Sequence, residues 1–225
     1  MAAARSVRIP AGSPGMLRFF YGPMDCGKST LALQINHNHA RQGRHGLLLT
    51  KLDRAGSARI SSRVGLAAAA TEVDSGTDLH DVVGAEWLAG RKVDYLICDE
   101  AQFYTCEQIE QAADLADRAG IDVYAFGLAT DFRSELFPGS RRLFELADEL
   151  VRLQVEVLCW CGRPGQQNAR VVNGEVTRTG DQILVADTDV DPADVHYQVL
   201  CRRHYRDGDL GPAVPSAGQL SLAAD

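Results

Sequence analysis

The stretch GPMDCGKST, Gly22 to Thr30, limits what this chain can fold into more than any other part of it. It follows the apolar run LRFFY directly and matches the pattern of Gly, four residues, then Gly-Lys-Ser. Such a loop works only between a strand and a helix. Glycines at Gly22 and Gly27 let the backbone curl so that successive N–H groups face inward, and the helix that follows turns its positive dipole end toward the same point. The pattern therefore predicts a strand ending at Tyr21, a helix opening near Lys28, and a nucleotide triphosphate held by Gly22, Pro23, Met24, Asp25, Cys26, Gly27, Lys28, Ser29 and Thr30. Lys28 would reach the β- and γ-phosphates, and the Ser29 hydroxyl would sit on Mg²⁺. The loop alone leaves open whether the phosphate goes to water, to a protein or to a small alcohol.

Beyond this loop, strand-like runs alternate with helix-like ones. LRFFY, HGLLLT, VDYLIC and IDVYAFGLA read as strands; STLALQINHNHARQ, TDLHDVVGAEWLAG, CEQIEQAADLADRAG and SRRLFELADELVRL read as helices. Such alternation predicts an α/β fold, a P-loop (RecA-like) parallel sheet flanked by helices. After about Leu153 the chain becomes short-stranded and turn-rich, with Asn173-Gly174 as a hairpin signal. The expected division is an α/β domain over 16–155 and a small β-rich domain over 156–207. Residues 1–15 and 208–225 read as disordered tails.

At 225 residues there is enough chain for one substantial core and a small appendage. The net charge of -7 disfavours a nucleic-acid polymer as partner, since a binder needs a concentrated basic patch. No apolar run has the length of a membrane span, and MAAARSVRIPAGSPG lacks the apolar segment of a secretory signal, so a cytoplasmic protein is expected. In a reducing compartment, six cysteines point to metal binding or buried thiols rather than disulfides.

VDYLICDE ends in Asp99 and Glu100. In an open parallel sheet the carboxyl ends of neighbouring strands face one crevice, so Asp99 can sit across from Ser29 and share its Mg²⁺. Glu100 is then free to act as a base, on a water in an ATPase or on a substrate hydroxyl in a kinase.

In chain order GPMDCGKST, KLDR followed by SSRVG, DEAQF, GLATDFRSELFPGS and a terminal cysteine cluster resemble the thymidine kinases shared by bacteria and the animal cytosol. The resemblance spans about Met16 to Tyr205. It implies transfer of the γ-phosphoryl of ATP to the 5'-hydroxyl of thymidine. Glu100 corresponds to the catalytic base, Asp99 and Ser29 to the Mg²⁺ partners, and Lys28 to the phosphate-binding lysine. Arg54 matches an arginine near the transferring phosphate, and Arg63 falls in the segment resembling the family's lid. The implied ATP and Mg²⁺ site also takes in Ala101 and Gln102.

Cys159 and Cys161 in CWCG, with Cys201 and His204 in CRRHY, suit a tetrahedral Zn²⁺ site, although C-x-C is shorter than the usual knuckle. Unrelated buried cysteines are the alternative. The resemblance implies that a structural Zn²⁺ pins the small domain. His196 is the nearest rival ligand, but it precedes Tyr197, which matches a substrate-contacting tyrosine. Cys26 is expected in the loop, and Cys98 and Cys106 are expected to be buried.

Between the halves of this cluster, DQILVADTDVDPADVHY resembles the substrate-enclosing loop, with Gln182, Ile183, Leu184, Val185 and Ala186 as its contact residues. Relatives commonly carry Gly-Gly where this chain has Ala186-Asp187. Met24, Phe103, Leu128, Phe132, Phe137 and Tyr197 correspond to residues that enclose the pyrimidine. The resemblance also implies a homotetramer and feedback by dTTP. A P-loop ATPase with a zinc-bearing interaction module remains the rival reading of the phosphate loop and the Asp-Glu pair.

Overall fold

The computed structural model describes residues 13–51, 58–154, 156–182 and 195–212. The larger sheet is built from β1 (Leu17–Tyr21), β2 (Gly46–Thr50), β5 (Thr71–Glu72), β6 (Tyr95–Asp99), β7 (Asp122–Gly127) and β8 (Glu149–Arg152). Its order is β5-β2-β6-β7-β1-β8, and every pairing in it is parallel. The short β3 (Arg59–Ser61) and β4 (Ala67–Ala69) form a separate antiparallel pair.

Alternate residues of the central strands serve two cores, as a sheet covered on both faces requires. Leu17, Phe19, Leu96, Cys98, Val123 and Ala125 face a core completed by α2 (Leu79–Leu88), α3 (Cys106–Ala119) and α4 (Pro138–Leu146). Phe20, Tyr95, Ile97, Tyr124 and Phe126 face the opposite core, with Ala32 and Leu33 of α1 (Lys28–Arg41) and Ile60 of β3.

Local signals explain the helix ends. Thr105 and Gln108 bond reciprocally in a capping box at the start of α3, and Gly120 ends it with φ 67°. Asp78 accepts the His80 and Asp81 N–H groups at the start of α2.

The run SRRLFELADELVRL does not form one helix. Helix α4 stops at Leu146, Ala147 is extended, and ELVR becomes β8. The free edge of β1 overrides the helical periodicity. Leu17 N–H donates to the Asp148 carboxylate at 2.8 Å, Asp148 N–H donates back to the Leu17 carbonyl at 2.9 Å, and Val151 packs against the α1-side core.

The second sheet has the order β10-β9-β11, from β9 (Gln167–Val172), β10 (Glu175–Thr177) and β11 (Val195–Leu200), and α5 (Arg202–Asp207) follows it. Asn173 and Gly174, with φ 50° and 79°, make the two-residue turn of the β9-β10 hairpin. A third core gathers Cys159, Ala169, Leu200, Cys201 and Tyr205 beneath this sheet. Among the described residues no helix is long and apolar enough to cross a membrane.

Candidate active site and metal centre

β1 ends at Tyr21, and the loop turns into α1 through Gly27 in the left-handed region at φ 79°. Asp25 is also left-handed, at φ 65°. This winding brings the Lys28 ammonium back across the loop, where it donates to the Pro23 carbonyl at 2.8 Å and lies 3.7 Å from the Cys26 sulfur. Two strands away, β6 ends on Asp99. The Ser29 hydroxyl donates to Asp99 Oδ2 at 3.0 Å, so the two groups expected to share a cation are in direct contact. Asp99 is 5% exposed. Burial, then the charge of Glu100, push its carboxyl up to about 6, against the opposing bond from Ser29.

Glu100 takes a left-handed backbone, φ 53°, uncommon for a residue with a side chain. That turn leads into a 3₁₀ segment, Ala101–Phe103, and Gln102 of this segment donates to Glu100 Oε2 at 2.6 Å. The same amide accepts the Leu128 N–H at 3.0 Å through its oxygen. α4 starts hard against the 3₁₀ segment, since a Cβ on Gly139 would meet the carbonyls of Ala101 and Tyr104 at 2.7 Å. Gln102 therefore ties the acidic turn to the wall of a neighbouring cavity.

That cavity is lined by Met24, Phe103, Leu128, Thr130, Asp131, Phe132, Phe137, Asn168, Gln182 and Tyr197. All six expected pyrimidine-enclosing residues, and Gln182, meet there. Phe103 and Phe137 pack edge to face, with centroids 5.4 Å apart. A roomier cleft of about 290 Å³ lies between Pro23, Arg152–Gln154, Glu156 and Pro164–Gly165, and none of Lys28, Asp99 and Glu100 lines it.

The four candidate metal ligands also converge. Their ligand atoms lie within 4.8 Å of one another, with Cys159 Sγ 3.3 Å from His204 Nδ1 and Cys161 Sγ 4.0 Å from Cys201 Sγ. Tetrahedral coordination with Zn–S near 2.3 Å separates thiolates by about 3.8 Å, so the donor set and its dimensions fit Zn²⁺. Cys201 caps α5, and the His204 N–H bond lowers its thiol pKa, whereas burial raises that of Cys159. Trp160 stacks on the His204 ring at 4.3 Å and fixes its plane.

The thymidine kinase family model matches residues 15–205. The chain belongs to the thymidine kinase family. It is 54% identical over 190 residues to the thymidine kinase of Streptomyces avermitilis, covering 84% of this chain and 88% of that one. It is 52% identical over 195 residues to that of Cutibacterium acnes, covering 87% and 90%. With that of Legionella pneumophila it shares 37% over 202 residues, covering 88% and 93%. The kinase thus belongs with enzymes of ATP- and Mg²⁺-dependent phosphorylation, with thymidine as acceptor.

Arg54, Ile183, Leu184, Val185 and Ala186 of the kinase lie outside the described residues. Arg63 pairs with Asp25 of the phosphate loop at 2.8 Å, on the surface. Cys98 is buried as expected, but Cys106 is exposed, because it opens α3 on the outer side of the helix N-terminus. Thr130, Asp131 and Asn168 of the cavity, and Arg170 behind it, escape sequence reasoning. Asn168 accepts the Met24 N–H at 2.8 Å, Asp131 accepts from Gln182 at 3.0 Å, and Arg170 stands behind Phe132 and Tyr197. Asp131 sits in the quoted motif TDFRSELFPGS, a signal that could have found it. Asn168 and Arg170 alternate with Ala169 and Val171, a pattern that reads as a solvated polar face, whereas the strand is buried on both faces.

Proposed function

We propose that this kinase transfers the γ-phosphoryl of ATP to the 5'-hydroxyl of thymidine, giving dTMP and ADP, and that it also accepts deoxyuridine. Glu100 takes the proton of the 5'-hydroxyl, and the Gln102 amide holds its carboxylate in place. Lys28 binds the β- and γ-phosphates among the N–H groups of Gly22–Thr30, and Arg54 meets the transferring phosphoryl. Ser29 and Asp99 hold Mg²⁺, which neutralises phosphate charge when bound. Met24, Phe103, Leu128, Phe132, Phe137 and Tyr197 enclose the pyrimidine, with the segment from Gln182 to Ala186 reading its polar edge. A Zn²⁺ on Cys159, Cys161, Cys201 and His204 pins the small β-rich domain of 156–207, which follows the α/β domain of 16–155. The same reading carries a cytoplasmic homotetramer in nucleotide salvage, subject to feedback by dTTP.

One observation supports this reading above the others. Gln102 bonds both to Glu100 and to the main chain of Leu128, joining an acidic group at a phosphate loop to an aromatic cavity of nucleoside character.

The test is ATP turnover by purified protein with a panel of nucleosides. Thymidine and deoxyuridine should be phosphorylated. Deoxycytidine, whose base edge exchanges donor and acceptor and leaves buried groups unpaired, should be worse by about 10²-fold or more in kcat/KM. Comparable values for deoxycytidine and thymidine would sink the recognition mode. ATP hydrolysis that ignores nucleosides would replace the kinase reading with that of an ATPase.

A further inference from the structure

Arg170 on β9 is 2% exposed, and among the described residues no carboxylate pairs with it. Burying a guanidinium is costly, and an acidic partner is the usual compensation. Here its N–H groups go to neutral acceptors. Nε donates to the Tyr197 hydroxyl at 3.1 Å, and one terminal nitrogen donates to the carbonyls of Asp181 at 2.9 Å and Gln182 at 3.3 Å. The plane of the fork lies over Phe132, 3.6 Å from the ring centroid.

Phe132, Gln182 and Tyr197 come from three separate stretches of chain, and all three line the cavity. Gln182 is held a second time, its side-chain amide donating to Asp131. No backbone pairing joins Phe132 to Tyr197 among the described residues; the guanidinium lies between them. Only a planar group with donors on several edges can stack on one ring, meet the hydroxyl of another and bind two carbonyls together.

We propose that Arg170 is a positioning residue for the nucleoside: it sets Phe132, Tyr197 and Gln182 in register as one wall of the pocket and so governs nucleoside affinity rather than the chemical step. This rests on the reading that the cavity takes thymidine. Arg170 stands behind the wall and acts through the three residues it orders.

Arg170→Lys keeps the charge and most of the length but loses the planar fork. KM for thymidine should rise about tenfold, the effect of one to two misplaced hydrogen-bonded groups, while kcat and KM for ATP stay within about threefold. Tyr197→Phe removes only the hydroxyl that Arg170 meets and should raise KM for thymidine in the same direction by a smaller factor. In the double variant the two losses should fail to multiply, because they break one contact. Melting temperature and bound zinc are measured alongside.

An unchanged thymidine KM in Arg170→Lys overturns the proposal. So does a fall in kcat with KM for ATP rising equally, which marks a general structural role. If Arg170→Lys does not fold, Tyr197→Phe decides, and an unchanged KM there is a refutation. A wild-type protein without thymidine kinase activity sinks the functional reading and this inference with it; an active wild type with indifferent variants sinks this inference alone.

Discussion

Asp99→Asn should make the metal-free protein more stable. The change keeps the side chain's shape and its contact with Ser29, and it removes a charge that the fold opposes. Burial and the neighbouring Glu100 raise the Asp99 carboxyl from 3.8 to about 6. The folded protein therefore holds this proton more tightly than the unfolded chain, and ionising Asp99 costs stability. That cost is absent below pH 3.8, grows as pH rises, and is complete above about pH 6. At about 1.4 kcal/mol per pH unit it amounts to roughly 2–3 kcal/mol. Urea unfolding in Mg²⁺-free buffer should show Asp99→Asn ahead by about this amount at pH 8, and by about half of it near pH 5. Mg²⁺ should stabilise the wild type and leave the variant unmoved. A variant less stable than the wild type at pH 8, or a gap that does not narrow toward pH 5, would refute burial as the cause.

Glu100→Gln keeps the size and removes the base, so kcat for thymidine should fall by about 10²- to 10⁴-fold with little change in ATP affinity, and near-normal turnover would count against Glu100 in that role. Elemental analysis should find about one Zn²⁺ per chain. Stripping it should expose the third core to proteolysis before the larger sheet is cut, and a metal-free protein with Cys159 and Leu200 still protected would refute a structural role for the metal.

Much of this site is legible in the sequence because its parts are local. The phosphate loop is a contiguous pattern whose strand and helix follow from its own glycines, and Asp99 and Glu100 are marked by the apolar strand they end. The cysteine cluster is legible in the same way, from paired short spacings. The β8 strand is not, because LADELVRL satisfies a helical period and only the open edge of β1 decides otherwise. Arg170 and Asn168 are hidden for a related reason. Their partners, Phe132, Tyr197 and Met24, are brought to them by the fold, and the polar/apolar alternation of the strand around them assigns them to a solvated face that the fold in fact buries.

The bond from the Met24 N–H to the Asn168 side chain joins residues 144 apart. All six strands of the larger sheet are complete by Arg152, so a chain emerging from the ribosome can close its first two cores before that acceptor exists. Until Asn168 emerges and β9 pairs, the phosphate loop has its glycines, its lysine and its helix but lacks the cross-link that pins its crest. A translation product halted in the β8–β9 connection should thus be folded and yet a poor nucleotide binder. Premature termination would release an inert sheet rather than an enzyme that consumes ATP without its acceptor pocket.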